Sequence, residues 1–91
     1  MDFLWETPSE ITLKLAKRIQ SVRKRKKYTQ RRLAERSNVS YASLRKFEET
    51  GQISLISLVK IAMELDLIDE INSLFTQPVY RDINEVINDG K

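Results

Sequence analysis

The chain has 91 residues, of which 41% are hydrophobic, and a formal net charge of +3. This length suits one compact domain, and two Gly and two Pro supply too few turns for a sheet of several hairpins, so an all-α fold is favoured. The lack of Cys and His removes the thiolate and imidazole groups on which most small metalloenzymes and hydrolases depend. Because no phosphate-binding glycine loop accompanies the acids, we expect a protein without enzymatic activity, metal or cofactor.

Charge is distributed unevenly along the chain. Between Lys14 and Lys46 there are thirteen Lys or Arg residues and a single acid, Glu35, whereas residues 47–91 hold nine acids and three bases. A basic segment followed by an acidic one is typical of a protein that binds a polyanion with one part and keeps the other part away from it. Since the sequence shows neither a leader-like start nor an apolar run of about 18 residues, we expect a soluble, cytoplasmic protein without a membrane partner.

The first helix is predicted to follow an N-terminal arm of residues 1–7. Thr7, Pro8 and Glu10 form a capping sequence, in which Thr and Glu satisfy free backbone amides and Pro occupies the first helical position. Apolar residues then recur every three or four positions. This spacing predicts an amphipathic helix that ends near Lys26 and buries one stripe, formed by Ile11, Leu15, Ile19 and Val22.

Two short helices joined by a tight turn are predicted next. Thr29 caps a helix that runs through Arg36, and Ser40 caps a second helix, which ends at Gly51. The turn needs a residue that accepts a positive φ, and Asn38 is one of the few side-chain-bearing residues that do so at modest cost. Two helices this close need small or apolar residues where they cross, and these are Leu33, Ala34, Val39, Leu44 and Phe47.

Two further helices complete the predicted domain. Ser54 caps a fourth helix, whose apolar stripe consists of Leu55, Leu58, Val59, Ala62 and Leu65. A short fifth helix is predicted over residues 69–75. The five helices place the domain at residues 8–76, and residues 77–91 form a short C-terminal extension, in which one more turn could start at Asp82.

The predicted two-helix unit contains a specific series of residues. In chain order these are Thr29-Gln30, Leu33-Ala34-Glu35, Asn38-Val39-Ser40, Ser43-Leu44, Phe47-Glu48 and, at the start of the next helix, Ile53-Ser54-Leu55. In this order they resemble the helix-turn-helix of the lambda-repressor/Cro-like, or Xre, family of transcriptional regulators, and the resemblance extends from Leu15 to Leu67. It implies a five-helix lambda-repressor-like DNA-binding domain, in which the helix starting at Ser40 lies in the major groove.

The resemblance also implies roles for individual residues. Tyr41, Ala42, Lys46 and Gln30 occupy positions that usually read bases. Lys46 can donate to guanine, whereas Ala42 can only touch a thymine methyl group. Phosphate contacts, which set register and supply affinity, are expected from Ser40, Ser43, Arg45, Arg31 and Lys24.

Five consecutive cations, Arg23–Lys27, precede this unit. Such a run is usually a solvated face, but its place beside the recognition helix makes contact with the DNA backbone an equally good interpretation. Arg23 is different, because in the resembled family the equivalent Arg commonly pairs with the Glu at the Glu48 position. We therefore expect a structural ion pair between Arg23 and Glu48 rather than a DNA contact.

The leading functional hypothesis is a homodimeric repressor that binds a palindromic operator in double-stranded DNA, because one recognition helix reads few base pairs and a two-fold dimer doubles the site. The dimer contact is expected either from the N-terminal arm, Phe3–Trp5, or from apolar residues in excess of what a short fifth helix needs for its own packing. The latter are Ile68, Ile71, Leu74 and Phe75.

Two other functions remain open. The loop FEETGQISL and the Asp-rich tail resemble those of HipB-like antitoxins, which repress their own operon and bind a HipA-like kinase toxin. A protein-interaction module that has lost DNA binding is the third hypothesis. The thirteen cations between Lys14 and Lys46 argue against this last one.

Overall fold

A computed structural model describes residues 6–78, which form five helices and no strand. Helix α1 spans Pro8–Arg25, α2 spans Gln30–Ser37, α3 spans Tyr41–Thr50, α4 spans Leu55–Glu64 and α5 spans Ile68–Asn72. The predicted all-α, five-helix fold is thereby confirmed. Phe3–Trp5 of the arm and residues 79–91 of the extension lie outside the described residues, and the division of the chain into arm, domain and extension stays a prediction.

The first four helices begin where local side-chain chemistry predicts. Oγ1 of Thr7 accepts a hydrogen bond from the backbone N of Glu10 at 3.1 Å, while Oε1 of Glu10 accepts one from the backbone N of Thr7 at 2.8 Å. Thr29, Ser40 and Ser54 cap α2, α3 and α4, each by accepting from the amide three residues later. These hydrogen bonds satisfy amides that the first turn of a helix leaves unpaired.

The core lies where α1, α2, α3 and α4 meet. Helix α1 packs mainly against α3, and α2 packs against both α3 and α4. The buried apolar residues are Ala16, Leu33, Ala34, Val39, Leu44, Phe47, Ile61, Ala62 and Leu65. All five residues predicted to pack around the turn are among them.

Two of the predicted apolar stripes are partly wrong. On α4, Leu55 is 74% exposed, whereas Ile61, which the predicted stripe left out, is fully buried. On α1, Ile11 and Leu15 remain 42% and 46% exposed, so burial begins only at Ala16. Periodicity fixes which residues share a helix face, but burial depends on the element that lies opposite, and residues 6–78 supply none that covers these positions fully.

Helix ends also differ from prediction. Helix α5 is shorter than the predicted range of 69–75, has no side-chain cap and contributes no buried residue. Helix α2, predicted to run through Arg36, extends one residue further to Ser37, which is buried. Its hydroxyl donates to the carbonyl oxygen of Leu33 at 2.7 Å, so the buried polar group is satisfied.

Five of the described residues outside the helices have a left-handed backbone, and Asn38 and Gly51 are the two that flank α3. Asn38 has φ 60° and ψ 40°, as predicted. Gly51 has φ 83°, and a Cβ at this position would lie 2.6 Å from backbone atoms of Thr12 and Leu13. Gly51 therefore does more than accept a positive φ, because its missing side chain lets the end of α3 approach the backbone of α1.

Candidate nucleic-acid interface

Helices α2 and α3 form the two-helix unit in which the sequence places the recognition residues. The turn is closed by two backbone hydrogen bonds, from Val39 N to the Ala34 oxygen at 3.0 Å and from Asn38 N to the Glu35 oxygen at 3.3 Å. Val39 is buried and anchors the turn in the core. Ser40 then caps α3. The start of the predicted recognition helix is therefore held by the buried Val39 before it and by the cap hydrogen bond of Ser40.

One face of α3 is open to solvent. Ala42, Arg45, Lys46 and Glu49 follow one another at helical spacing and are all exposed. Nε of Arg45 lies 3.5 Å from Oε2 of Glu49, and both side chains are more than half exposed. Exposed pairs of this kind contribute little to stability, so Arg45 is free to exchange its partner for a phosphate.

Tyr41, the first residue of α3, is half-buried and packs against the core cluster. The guanidinium carbon of Arg31, on α2, lies 4.1 Å from the centre of its ring, which is the geometry of a cation–π contact. A predicted base-reading residue and a predicted phosphate-binding residue therefore touch each other. This contact links the two helices of the unit on the side of the turn.

Glu48 follows Tyr41 by two turns of α3, on the same side of the helix, and is buried, with an exposed fraction of 1%. Its Oε2 accepts from Nε of Arg23 at 2.7 Å, and its Oε1 accepts from Nη2 of the same residue at 3.0 Å. The expected ion pair between Arg23 and Glu48 is thus present and bidentate. Gln20 and Gln30 also donate their Nε2 to Oε1, at 3.0 Å and 2.8 Å, so α1, α2 and α3 all meet at one carboxylate.

The hydrogen-bond donors around this carboxylate favour its ionised form. Burial alone would raise the pKa of Glu48, but the hydrogen bonds from Arg23, Gln30 and Gln20 act in the opposite direction and leave the pKa below its ordinary value. Nη1 of Arg23 donates to the carbonyl oxygen of Tyr28 at 2.7 Å. Every buried side-chain nitrogen or oxygen within residues 6–78 has a hydrogen-bond partner.

Gln30 is predicted to contact a base, and its side chain is half-buried. Because one N–H of its amide donates to Glu48, the amide oxygen and the second N–H are left to interact with a ligand. The hydrogen bond from Gln20 to Glu48 was not predicted from the sequence. The signal for it is the spacing on α1, since Gln20 precedes Arg23 by three positions and so shares its helix face.

A second carboxylate, Glu64 on α4, was not predicted from the sequence. Its Oε2 accepts from the Tyr28 hydroxyl at 2.5 Å and from Nε of Arg36 at 3.2 Å. The hydrogen bond to Glu64 raises the pKa of Tyr28 above its ordinary value of 10.0. Tyr28 and Glu64 are 36 residues apart, so no local pattern could have joined them.

Cations surround the two-helix unit. Lys24, predicted to bind phosphate, is exposed in the last turn of α1. It forms no ion pair within residues 6–78, and the same is true of Lys17, Arg18, Arg25, Lys27, Arg31 and Lys46. Among the described residues no group of acidic side chains is placed to hold a metal ion. In that part of the chain, no helix combines the length and the apolar character needed to cross a bilayer.

Comparison with known proteins identifies this arrangement. A family model described as helix-turn-helix matches residues 19–70, which is more than half of the chain. No curated protein matched the chain. The matched residues include all of α2, α3 and α4 and the end of α1 that carries Gln20 and Arg23, and members of this family are typically not enzymes. The chain therefore belongs to the helix-turn-helix family of Xre, or lambda-repressor-like, DNA-binding regulators.

Proposed function

We propose that this protein is a sequence-specific repressor that binds a palindromic operator as a homodimer and reads the major groove with the N-terminal half of α3. The division of α3 into two faces is the observation that carries this proposal. Leu44, Phe47 and Glu48 are buried and pack α3 against the rest of the fold. The other face of α3, with Ala42, Arg45 and Lys46, is exposed. A rigid helix with exposed donors fits the recognition of base edges.

Four residues supply the proposed base contacts. Lys46 donates to guanine O6 or N7, and Ala42 offers its methyl group to thymine. Tyr41 offers its hydroxyl to a base, and its ring is positioned by the cation–π contact with Arg31. Gln30 contributes its amide oxygen or its second amide N–H, because only one N–H is bound to Glu48.

The proposed phosphate contacts come from exposed groups around these residues. The Ser40 hydroxyl donates to Oγ of Ser43 at 2.8 Å, which leaves the hydroxyl proton of Ser43 available for a phosphate oxygen. The remaining contacts come from charged side chains on three helices, namely Lys24, Arg31 and Arg45. Such contacts set the register of the protein on the duplex and supply affinity.

The proposed homodimer places its two α3 helices on half-sites about 34 Å apart. Of the four residues predicted for the dimer contact, Phe75 is 97% exposed and Leu74 is 50% exposed, whereas Ile68 and Ile71 are half-buried. An aromatic side chain with almost its whole surface in water is typical of an interaction site. Phe75 is therefore the leading candidate for contact with a second copy.

The test is selection of binding sites from a pool of random DNA duplexes at two salt concentrations. The wild-type chain should select a palindrome. Lys46→Ala should lose the preference at one base position in each half-site, because the donor to guanine is gone. The matched control is Lys60→Ala, which removes a cation from α4 and should leave the selected sequence unchanged.

One result would contradict the proposal. Binding that ignores sequence, disappears at the higher salt concentration and is the same in all three proteins means that α3 does not read bases. Gln30→Ala is kept for a separate measurement, because it also removes a hydrogen bond to the buried Glu48. Binding of a kinase toxin, implied by the resemblance to HipB-like antitoxins, stays a prediction. A protein that co-purifies with the chain and still binds the Lys46→Ala, Gln30→Ala variant would support this prediction.

A further inference from the structure

The outer face of α1 carries a row of cations. Lys14, Arg18, Ser21 and Arg25 follow one another at helical spacing, so they share one side of the helix, and Lys17 borders them. All five residues are exposed, and together they are called the α1 ridge below. From its first residue to its last, the ridge is about 17 Å long.

Few acids within residues 6–78 oppose the ridge. Nζ of Lys14 lies 2.6 Å from Oε2 of Glu6. Glu10 lies one turn before Lys14, but its carboxylate is engaged in the capping box of α1. Arg18 and Glu70 both line the open groove between α1, α4 and α5, and they form no ion pair with each other. The other cations of the ridge have no acidic partner among the described residues either.

The ridge faces away from α3. The buried residues of α1, Ala16 and Arg23, lie on the other side of the helix, because two residues, as from Lys14 to Ala16, turn a helix by about 200°. On that buried side Arg23 binds Glu48 of α3. Lys46 precedes Glu48 by two residues and is exposed on the far side of α3. The packed interface of α1 and α3 therefore separates the ridge from the exposed face of α3.

This separation is too large for the two surfaces to act as one. Packed helices lie about 8–10 Å apart between their axes, and each has a radius of about 5 Å with its side chains. The outer surfaces of the pair are therefore about 20 Å apart. Exposed charges are screened beyond about 8 Å at physiological ionic strength. A duplex bound by α3 thus leaves the ridge available to another polyanion.

The composition of the ridge favours the phosphate backbone of DNA among the possible polyanions. The ridge contains no aromatic or apolar side chain, whereas protein interfaces are built around such anchors and are depleted in Lys. A helix that lies in a membrane surface directs an apolar face into the lipid, and the ridge offers none. Duplex DNA carries one charge per about 1.7 Å of its axis, so a ridge of about 17 Å can lie along roughly ten phosphates.

We propose that the α1 ridge binds the phosphate backbone of a second DNA duplex, so that the protein joins two DNA segments. The ridge adds affinity without sequence preference, because phosphate contacts carry no base information. The inference rests on the proposed contact between α3 and DNA for the first duplex. Binding by the ridge itself does not depend on whether α3 reads bases.

Three variants, each adding one negative charge at an exposed position, test this proposal. Ser21→Glu places an acid in the middle of the ridge, one turn from Lys17 and from Arg25, where it pairs with them and keeps the helix folded. Ala42→Glu places an acid on the exposed face of α3. Ser9→Glu is the matched control, because it lies on α1 but off the ridge, in the first turn, where an acid is favourable.

The probe is a duplex of arbitrary sequence, two helical turns long, prepared with either of two dyes. Two-colour fluorescence cross-correlation measures the fraction of complexes that hold both dyes, and anisotropy measures the affinity for a single duplex. Wild type and Ser9→Glu should bridge the two duplexes. At about 50 mM salt we expect Ser21→Glu to lower the bridged fraction about five-fold and the affinity for one duplex by less than about two-fold. Ala42→Glu should also lose bridging, because the first duplex is released.

A second ridge variant, Lys17→Glu, Arg18→Glu, removes cations directly and should repeat the result of Ser21→Glu. Absence of bridging by wild type, or equal bridging by wild type and both ridge variants, would overturn the proposal. So would an equal fall of bridging and of single-duplex affinity in Ser21→Glu, because the ridge and α3 would then share one duplex. Bridging that is lost in Ser21→Glu but unchanged in Ala42→Glu would support the ridge as a DNA site and contradict the proposed function of α3.

Discussion

Glu48 accepts four hydrogen bonds in a buried site, and removing its charge would leave Arg23 without a counterion. We expect Glu48→Gln to lower the free energy of unfolding by about 3–5 kcal/mol, as breaking one side of a buried pair does. Urea unfolding measures this loss. The double variant Arg23→Met, Glu48→Leu serves as the control, since it leaves no unpaired charge and should be more stable than Glu48→Gln. A loss below about 1 kcal/mol would mean that the pair is a surface-like contact.

The lowered pKa of Glu48 makes a separate prediction about pH. Because the pKa is lower in the folded state than in the unfolded chain, the ionised pair stabilises the fold above the unfolded value of about 4.3. This contribution is lost as the pH falls through the folded pKa. The free energy of unfolding of the wild-type chain should therefore drop more steeply below about pH 4.3 than that of Glu48→Gln. Parallel curves in a pH series of urea titrations would contradict the depressed pKa.

Gly51 and Asn38 both have left-handed backbone, but their surroundings differ. At Gly51 a Cβ would collide with the backbone of Thr12 and Leu13. We expect Gly51→Asn to lower the free energy of unfolding by about 1–3 kcal/mol through this clash, although Asn tolerates the φ value. Asn38→Gly is the matched control and should leave stability equal or slightly higher. Equal effects of the two substitutions on thermal unfolding would show that backbone conformation alone matters at both sites.

At the scale of elements, the contact between Arg31 and Tyr41 joins α2 to α3 beside the proposed reading positions. Tyr41→Phe keeps the ring and the cation–π contact but removes the hydroxyl. We expect this variant to lose base preference at one position of the selected site while its thermal midpoint stays unchanged. Tyr41→Leu should lower both the base preference and the thermal midpoint, because the aromatic ring that stacks on Arg31 is lost as well. If Tyr41→Phe selects the same sequence as wild type, the hydroxyl does not read a base.

The start of each of the first four helices could be predicted from sequence because the cap and its partner lie three residues apart. Thr29 and Ser40 are examples, and the left-handed turn at Asn38 is equally local. The exposure of Leu55 and the bond from Tyr28 to Glu64 could not be predicted in this way. Both depend on which helix lies opposite, and periodicity within one helix carries no information about its neighbour.

At the scale of the whole molecule, one part of the buried site around Glu48 was predicted from the sequence and another part was not. The resemblance to a known family led to the pair of Arg23 and Glu48, because two distant positions are linked there by what relatives share. It did not indicate that Gln20 and Gln30 bind the same carboxylate. Those bonds require α1 and α2 to pack against α3, which only the assembled fold defines.

The polarised charge of the chain predicts strongly salt-dependent DNA binding. The logarithm of the affinity should fall linearly with the logarithm of the salt concentration, and Lys24→Ala should reduce the slope by about one if Lys24 neutralises one phosphate. Lys60→Ala, on α4, provides the control and should leave the slope unchanged. Fluorescence anisotropy over a range of salt concentrations measures both. Identical slopes for Lys24→Ala and wild type would remove Lys24 from the proposed interface.

The two faces of α3 also bear on how this protein can change over evolutionary time. The side chains that hold the helix in place, such as Leu44 and Glu48, are separate from the exposed ones, such as Ala42 and Lys46. Exposed substitutions away from packed features usually alter stability by no more than about 0.5 kcal/mol. If α3 reads DNA as proposed, descendants of this chain can therefore acquire new sequence preferences through changes at those exposed positions without passing through poorly folded intermediates.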